Sequence, residues 1–324
     1  MSFIDIKGQD KPIQILKEDI RHSRLVSGYL FVGPEGVGKK IIAKTLAKAV
    51  NCQNETLDSC DKCASCLKIE KNQHPDVHLI DEGTSEVIKI EYIRQLQKDI
   101  NLKPYEGKRK VFIIDNAHNL TAEAANAILK ILEEPPADSL IILVSAKPAL
   151  LFKTVTSRCR ILKFYPLNRV ELEKILKKDC GLENNLAHFL AYFSEGRMGS
   201  ALRLKDIDIL RDKNRVIDEL AILGKPTDNL LMRNREDVRS YLNILAAWFR
   251  DIYLIKIGMP HYELINLDRK TDLLKCMNHY TLFDLDEILN FISDSLLYLG
   301  QNVNIKLLLS NLREDISYGA RRAT

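Results

Sequence analysis

A glycine-rich stretch, GPEGVGKK from Gly33 to Lys40, contains the residue types that bind phosphate groups. It follows the apolar run YLFV and fits the pattern G-x-x-x-x-G-K-[ST] at Gly33, Gly38 and Lys39. In such loops, backbone N–H groups and the positive end of the next helix attract phosphate, and the lysine reaches the terminal phosphates. The last position departs from the pattern, because Lys40 replaces the serine or threonine that would ligate magnesium.

An acidic residue at the end of a neighbouring strand forms the second half of a nucleotide site, and Asp115 in VFIIDNAH fits this position. ATPases of this kind commonly end the strand with Asp-Glu: the Asp assists magnesium and the Glu polarises the attacking water. Here the second residue is Asn116, whose amide cannot accept a proton as a carboxylate does. Lys40 and Asn116 together argue against hydrolysis. A simpler interpretation, in which Asp115 only caps a turn after a buried strand, stays open.

Four of the seven cysteines form a tight C-x7-C-x2-C-x2-C pattern at Cys52, Cys60, Cys63 and Cys66. One such cluster, in a chain without a secretory pattern, favours a metal site over disulfide bonds. Four thiolates complete a tetrahedral zinc site, so the predicted Zn²⁺ is structural; free or redox-active cysteines are the alternative. His74 is surplus to four ligands and is expected at the surface.

Composition limits the class of protein. Net charge is only +4, from 48 basic and 44 acidic side chains, which is too mild to indicate nucleic-acid binding by itself. No apolar run approaches the roughly 20 residues that cross a bilayer. The start, MSFIDIKGQD, lacks the basic and apolar regions of a secretory signal. We therefore expect a cytoplasmic protein that does not contact a membrane.

Strand and helix patterns alternate in the first half of the chain, which predicts a parallel sheet covered on both faces. Two helices are predicted, KKIIAKTLAKAVN and TAEAANAILKILEE, the second with Thr121 as N-cap and ended by Pro135 and Pro136. The predicted strands, all short apolar runs, are SGYLFVG, DVHLID, KVFIID, SLIILVSA and RCRILKF. DVHLID and KVFIID are predicted to be buried strands.

Only amphipathic helical segments follow Pro166. The clearest is EDVRSYLNILAAWFRDIYLIKIG, with one apolar face formed by Leu242, Leu245, Phe249, Ile252 and Tyr253. The predicted fold class is therefore α/β plus all-α. Three domains are expected: an α/β domain at 1–165 that carries the cysteine knuckle at 52–66, a small helical domain at 166–207, and a larger helical domain at 208–324.

Taken together, these motifs resemble the clamp-loader branch of the AAA+ family, and within it the delta-prime type of the bacterial DNA polymerase III holoenzyme. The resemblance covers nearly the whole chain and rests on these stretches: DIKGQDKPIQILKEDI, YLFVGPEGVGKK, the cysteine insert, VFIIDNAHNLTAEAANAILKILEEPP, TVTSRCRILKFYPL and NVNIKLLLSNL. It implies a P-loop domain, a helical lid and a C-terminal oligomerisation collar. It also implies assembly with gamma/tau motor and delta subunits to load the sliding clamp on primed DNA.

The resemblance gives Arg158, in the stretch SRC, the role of an arginine finger that acts in trans on ATP held by a neighbouring motor subunit. An arginine suits this role because its fixed charge and forked donors stabilise phosphoryl charge. From the sequence alone, a surface ion pair is the simpler interpretation. In GRMGSAL, the second-sensor arginine of the motor subunits is replaced by Gly199, and Arg197 lies two residues early.

The leading hypothesis is thus a stator that does not hydrolyse ATP itself, although bound ATP or ADP stays possible. The alternative is an active motor ATPase of the same loader, which Lys40, Asn116 and Gly199 disfavour. A zinc-knuckle DNA-binding module is a third reading. It is weakened because ETLDSCDKCASC is acidic and lacks interleaved basic and aromatic residues.

Overall fold

The computed structural model describes residues 1–54, 57–81, 87–223, 235–299, 304–305, 307–312 and 316. Parts of the cysteine insert (55–56) and of the NVNIKLLLSNL segment (302, 303 and 306) lie outside these residues. The chain divides into two compact units. The first comprises Met1–Leu167 with Arg197–Gly199, and the second comprises Asn168–Gly196 with Ser200–Thr324. Separation of a lid at 166–207 from a collar at 208–324 stays a prediction.

Five parallel strands form the centre of the first unit, in the spatial order β2-β3-β4-β1-β5. The strands are β1 (Gly28–Val32), β2 (Val77–Ile80), β3 (Lys110–Ile114), β4 (Ser139–Ser145) and β5 (Arg160–Lys163). Strands β1, β3 and β4 are buried along their whole length, as expected for a sheet covered on both faces. The parallel sheet is confirmed. The prediction that β2 is buried is wrong, because β2 lies at a sheet edge and is only half-buried.

Helices cover both faces of this sheet, and alternate residues of β1 belong to different hydrophobic clusters. Tyr29 and Phe31 pack with residues of the first two helices, whereas Leu30 and Val32 pack with residues of the fourth and fifth. The helices are α1 (Asp10–Arg21), α2 (Lys39–Asn51), α3 (Ala64–Glu70), α4 (Ile90–Ile100), α5 (Ala122–Glu133) and α6 (Lys153–Thr156). The predicted N-cap of α5 is confirmed, since Oγ1 of Thr121 accepts a hydrogen bond from the backbone N–H of Ala124 at 3.1 Å.

The described residues of the second unit form helices and no strands. The α-helices are α7 (Arg169–Cys180), α8 (Asn184–Phe193), α9 (Met198–Asp206, whose first two residues belong to the first unit), α10 (Ile209–Leu223), α11 (Arg235–Lys256), α12 (Lys270–Cys276) and α13 (Leu282–Tyr298). On α11, Leu242, Leu245, Phe249 and Ile252 are fully buried, whereas Tyr253 is only partly buried. Among the described residues, no helix combines the length and the apolar character needed to span a bilayer.

Candidate functional site

The phosphate loop connects β1 to α2, and its glycines are required by geometry. At Gly33, φ is +153°, and a Cβ atom would lie 2.3 Å from the carbonyl oxygen of Phe164. Gly38 is the N-cap of α2 with φ at +97°, a backbone conformation that side chains disfavour. The chain thus turns from strand into helix in the way that directs helix N–H groups toward an anion.

Lys39 folds back onto this loop. Its Nζ atom donates hydrogen bonds to the carbonyl oxygens of Gly33 and Pro34, both at 2.6 Å, and only 6% of the residue is exposed. Burial lowers the pKa of Lys39 to about 8, although Asp115 and Glu35 act in the opposite direction. A phosphate that enters the loop would compete with these carbonyls for the same ammonium group.

Lys40, the residue that departs from the motif, contacts two carboxylates. Its Nζ atom donates a hydrogen bond to Oδ2 of Asp81 and lies 3.3 Å from Oδ2 of Asp115. The two aspartates directly follow β2 and β3, whose last residues, Ile80 and Ile114, are paired in the sheet. Because the strands are parallel and in this register, both carboxylates lie side by side at the carboxyl-terminal ends of β2 and β3.

The charge of the Lys40 ammonium is stabilised at this position. Burial favours a lower pKa for Lys40, but Asp81 and Asp115 outweigh burial and raise the pKa. A cation thus stands next to the acidic residue that assists magnesium in related ATPases. At an effective dielectric of about 20, it would repel a second unit charge about 4 Å away by roughly 4 kcal/mol.

Asp115 also caps the turn that follows β3. Its Oδ1 atom accepts a hydrogen bond from the backbone N–H of Asn116 at 3.0 Å, and Asn116 has a left-handed conformation with φ at +49°. The simpler interpretation of Asp115 from the sequence therefore describes part of what it does. Its carboxylate is shared between this cap and the Lys40 ammonium.

Three polar residues near the carboxyl-terminal ends of the strands, Asp81, His118 and Ser145, were not singled out from the sequence. Besides Asp81, Ser145 ends β4, and its Oγ atom lies 3.3 Å from Nδ1 of His118. Burial is the main reason that the pKa of His118 is lowered, which favours the neutral ring. The available signal was a polar residue directly after each apolar run: Asp81 after HLI and Ser145 at the end of LIILVS.

Gly199 lies directly against the phosphate loop. Its backbone N–H donates a hydrogen bond to the carbonyl oxygen of Gly36 at 2.7 Å, and a Cβ atom on Gly199 would lie 2.9 Å from that oxygen. Any side chain at this position would therefore require the loop or the start of α9 to shift. Arg197 precedes the first residue of α9, Met198.

Arg158 lies at the amino-terminal end of the strands, whereas the phosphate loop lies at their carboxyl-terminal end. A Cβ atom on Gly28, the first residue of β1, would lie 3.5 Å from the carbonyl oxygen of Arg158, whereas the loop follows Val32, the last residue. At about 3.3 Å per residue, the ends of β1 are roughly 13 Å apart. The backbone of Arg158 is thus remote from the phosphate site of its own chain.

The guanidinium group of Arg158 forms a surface ion pair. Its Nη2 atom lies 2.6 Å from Oε1 of Glu133, and its Nη1 atom donates a hydrogen bond to the carbonyl oxygen of Thr154 at 2.9 Å. The side chains of Arg158 and Glu133 are 36% and 49% exposed. Exposed pairs of this kind contribute about 0–1 kcal/mol, so another anion can displace Glu133 at little cost.

The four clustered cysteines converge as a metal site requires. The Sγ atoms of Cys52, Cys60, Cys63 and Cys66 all lie within 4.8 Å of one another, and none is in a disulfide bond. A tetrahedral site with bonds of about 2.3 Å separates its sulfur atoms by roughly 3.8 Å. The observed separation of 4.0 Å between Cys60 and Cys66 is close to this value. The cluster can therefore bind a metal ion after small adjustments.

Local structure positions these sulfur atoms. Cys52 directly follows α2, and Cys63 is the N-cap of α3, with its Sγ atom accepting a hydrogen bond from the backbone N–H of Cys66 at 3.5 Å. Backbone N–H groups of Lys62 and Cys63 lower the pKa of Cys60 to about 6. Burial instead raises the pKa of the Cys66 thiol. One cysteine is thus readily ionised, as metal binding requires.

His74 is not a member of the cysteine cluster, and the expectation that it lies at the surface is wrong. Only 4% of the residue is exposed. Its Nδ1 atom accepts a hydrogen bond from the backbone N–H of Asp76 at 3.1 Å, and its Nε2 atom lies 3.2 Å from Oγ of Ser65 on α3. The ring therefore joins α3 to the segment that leads into β2.

Comparisons with known proteins identify relatives across most of the chain. The family model for "DNA polymerase III, delta subunit" matches residues 8–168. DNA polymerase III subunit delta' of Bacillus subtilis is 29% identical over 262 residues, which cover 77% of this chain and 78% of the relative. DNA polymerase III subunit gamma of Buchnera aphidicola is 34% identical over 262 residues, which cover 76% of this chain and 72% of the relative.

A longer relative also matches, and a solved structure shares the fold. DNA polymerase III subunit tau of Escherichia coli is 32% identical over 262 residues, and the match spans only 40% of that longer protein. The fold is similar to that of a gamma subunit-related protein of DNA polymerase III from Thermotoga maritima, with a TM-score of 0.52, 18% identity, and coverage of 98% of this chain and 100% of the other. The chain therefore belongs to the DNA polymerase III clamp-loader family, which includes the delta-prime, gamma and tau subunits.

Proposed function

We propose that this chain is a stator of the clamp loader, which does not hydrolyse ATP itself. In this role it assembles with gamma/tau motor subunits and a delta subunit, and the assembly places the sliding clamp on primed DNA. The observation that carries the proposal is the Lys40 ammonium, which lies between Asp81 and Asp115 where a hydrolysing site needs magnesium. Asn116 supplies no carboxylate to activate water.

The contribution of this chain to catalysis is then made by Arg158 on a neighbour. Its backbone lies at the amino-terminal end of the strands, far from the phosphate loop of the same chain. Its guanidinium is partly exposed, and the ion pair with Glu133 is weak enough for phosphate to replace the carboxylate. In this proposal, Arg158 stabilises the transferring phosphoryl group of ATP bound to the adjacent motor subunit.

The cysteine cluster takes zinc in this proposal, with a structural role. Four thiolates leave no open coordination position for a reacting water, which is typical of a structural zinc site. The cluster lies between α2 and α3, so a bound ion would join the end of the helix that starts at the phosphate loop to the next helix along the chain.

An active motor subunit is the second candidate, favoured by 34% identity to a gamma subunit and by retention of Gly33, Gly38 and Lys39. ATP turnover by the purified chain, with and without primed DNA, distinguishes the two. We expect no turnover above that of a Lys39→Ala variant, because both the metal ligand and the base are missing. Turnover that Lys39→Ala abolishes would instead establish the motor.

A further inference from the structure

Two carboxylates, those of Asp81 and Asp115, hold the ammonium of Lys40 at the ends of β2 and β3. Asp81 and Asp115 come from adjacent parallel strands and meet at one point because Ile80 and Ile114 are paired. The side chain of Asp115 is only 16% exposed, and those of Lys40 and Asp81 are 39% and 33% exposed. The cation is thus partly enclosed by the two carboxylates and partly exposed.

The chemistry of an ammonium group suits this position. A lysine ammonium has three N–H donors. Within the part of the chain that the structure describes, Asp81 and Asp115 account for two of them, which leaves one donor for an additional oxygen. Lys40 lies in the first turn of α2, directly after Lys39, so this donor belongs to the helix end that faces a phosphate group.

The remainder of the loop keeps the features that bind phosphate. Gly33 and Gly38 retain positive φ angles, and Lys39 retains its position at the first turn of α2. Its ammonium already binds carbonyl oxygens at 2.6 Å, which phosphate oxygens can replace. The loop thus lacks the hydroxyl that ligates a metal ion but keeps the groups that contact phosphate directly.

We propose that Lys40 substitutes for the magnesium ion of a P-loop, so that this chain binds a nucleoside di- or triphosphate in its metal-free form. The ammonium supplies one of the two positive charges that the metal otherwise supplies, and it partly offsets the negative charge of Asp81 and Asp115. This inference goes beyond the proposed function, because a stator that binds no nucleotide can still supply Arg158 to its neighbour.

Isothermal titration calorimetry with ADP and ATP tests the inference on the wild-type chain. We expect both to bind in the presence of EDTA and excess magnesium to weaken the apparent affinity, since a magnesium ion carried by the nucleotide would face the Lys40 ammonium. Absence of binding in EDTA, or tighter binding with magnesium, would overturn the inference. Neither result would affect the assay of ATP turnover that tests the stator.

The Lys40→Thr variant restores a metal-ligating hydroxyl, and we expect magnesium to tighten its binding of ADP by at least about tenfold. A Lys40→Thr variant that responds to magnesium as the wild type does would overturn the inference. Lys44→Thr is the matched control, because Lys44 lies one turn further along α2 and its ammonium binds the carbonyl oxygen of Glu70 instead. We expect this control to behave as the wild type.

A second measurement needs no variant. In electron paramagnetic resonance with Mn²⁺ and ADP, we expect the wild-type chain to raise the signal of free Mn²⁺, because it withdraws ADP from the metal, and to give no spectrum of protein-bound Mn²⁺. A spectrum of protein-bound Mn²⁺ that depends on ADP would overturn the inference.

Discussion

Two adjacent lysines at the start of α2 have opposite electrostatic surroundings. Lys39 is buried among carbonyl groups, and burial lowers its pKa to about 8. Lys40 is also partly buried, but Asp81 and Asp115 raise its pKa. At neutral pH both are charged, and only Lys39 is close to losing its proton. We therefore expect Lys39 to lose its proton at a lower pH than Lys40 does.

The pKa of Lys39 predicts a pH-dependent stability. Because its pKa falls from 10.5 in the unfolded chain to about 8 in the folded chain, the unfolded chain holds this proton more tightly between these values. The penalty for burying the charge is complete below pH 8 and is relieved as the pH rises. Relative to a Lys39→Met variant, the wild type should gain roughly 1 kcal/mol of unfolding free energy per pH unit in this window.

Urea unfolding of both proteins at several pH values measures this difference. Lys98→Met serves as the control, because Lys98 is exposed in the last turn of α4, outside the phosphate loop. A difference between wild type and Lys39→Met that stays constant from pH 8 to 10 would contradict the burial of a charged Lys39.

The roles of some single residues could be predicted from the sequence, whereas those of others could not. Lys40 and Asn116 were visible as departures from known motifs, because those motifs fix the position of each residue. Asp81 was not, since its contact with Lys40 depends on β2 lying next to β3, and the order of strands cannot be read from local sequence. The pairing of Arg158 with Glu133 was hidden for the same reason.

At the scale of secondary-structure elements, α2 joins the two candidate sites. The phosphate loop precedes its first residue, Lys39, and Cys52 of the cysteine cluster directly follows its last residue, Asn51. The second half of the cluster is fixed by Cys63 at the N-cap of α3. Loss of a metal ion would therefore release one end of α2 and should lower the stability of the first unit.

The purified chain should contain about one equivalent of zinc when measured by inductively coupled plasma mass spectrometry. A Cys63→Ser variant should lose most of this zinc and melt roughly 5 °C or more below the wild type, because metal binding contributes to folding. The matched control is Cys180→Ser, since Cys180 lies at the end of α7, outside the cluster. Equal loss of zinc in both variants, or a wild-type chain without metal, would contradict the assignment.

Elements with strong local signals were predicted well. The helix from Lys39 to Asn51 and the N-cap at Thr121 follow from apolar periodicity and a known capping residue. The half-buried state of β2 and the burial of His74 were missed, because both depend on position in the sheet and on packing against α3. Local patterns report which faces are apolar, but they do not report which strand lies at an edge.

At the scale of the whole molecule, the phosphate loop and Arg158 lie at opposite ends of the strands of one sheet. The loop follows the last residue of β1, and Arg158 lies beside its first residue. A chain with this arrangement can present its arginine to one neighbour while its own phosphate loop faces elsewhere. Relatives revealed the family, but the identity of that neighbour depends on the assembled loader.

The central claim is that Arg158 acts on ATP bound to another subunit. Its most direct test is DNA-stimulated ATP turnover by a loader reconstituted from this chain with the motor and delta subunits of the same organism. Arg158→Ala is compared with Arg94→Ala, a control on the exposed surface of α4, and assembly of each loader is checked by size-exclusion chromatography.

Loss of an arginine finger slows hydrolysis at its site by roughly a thousandfold or more. Arg158→Ala should therefore abolish the turnover of the motor site next to this chain and lower the total turnover, whereas Arg94→Ala should leave turnover unchanged. An assembled Arg158→Ala loader that hydrolyses ATP at the wild-type rate would contradict the account.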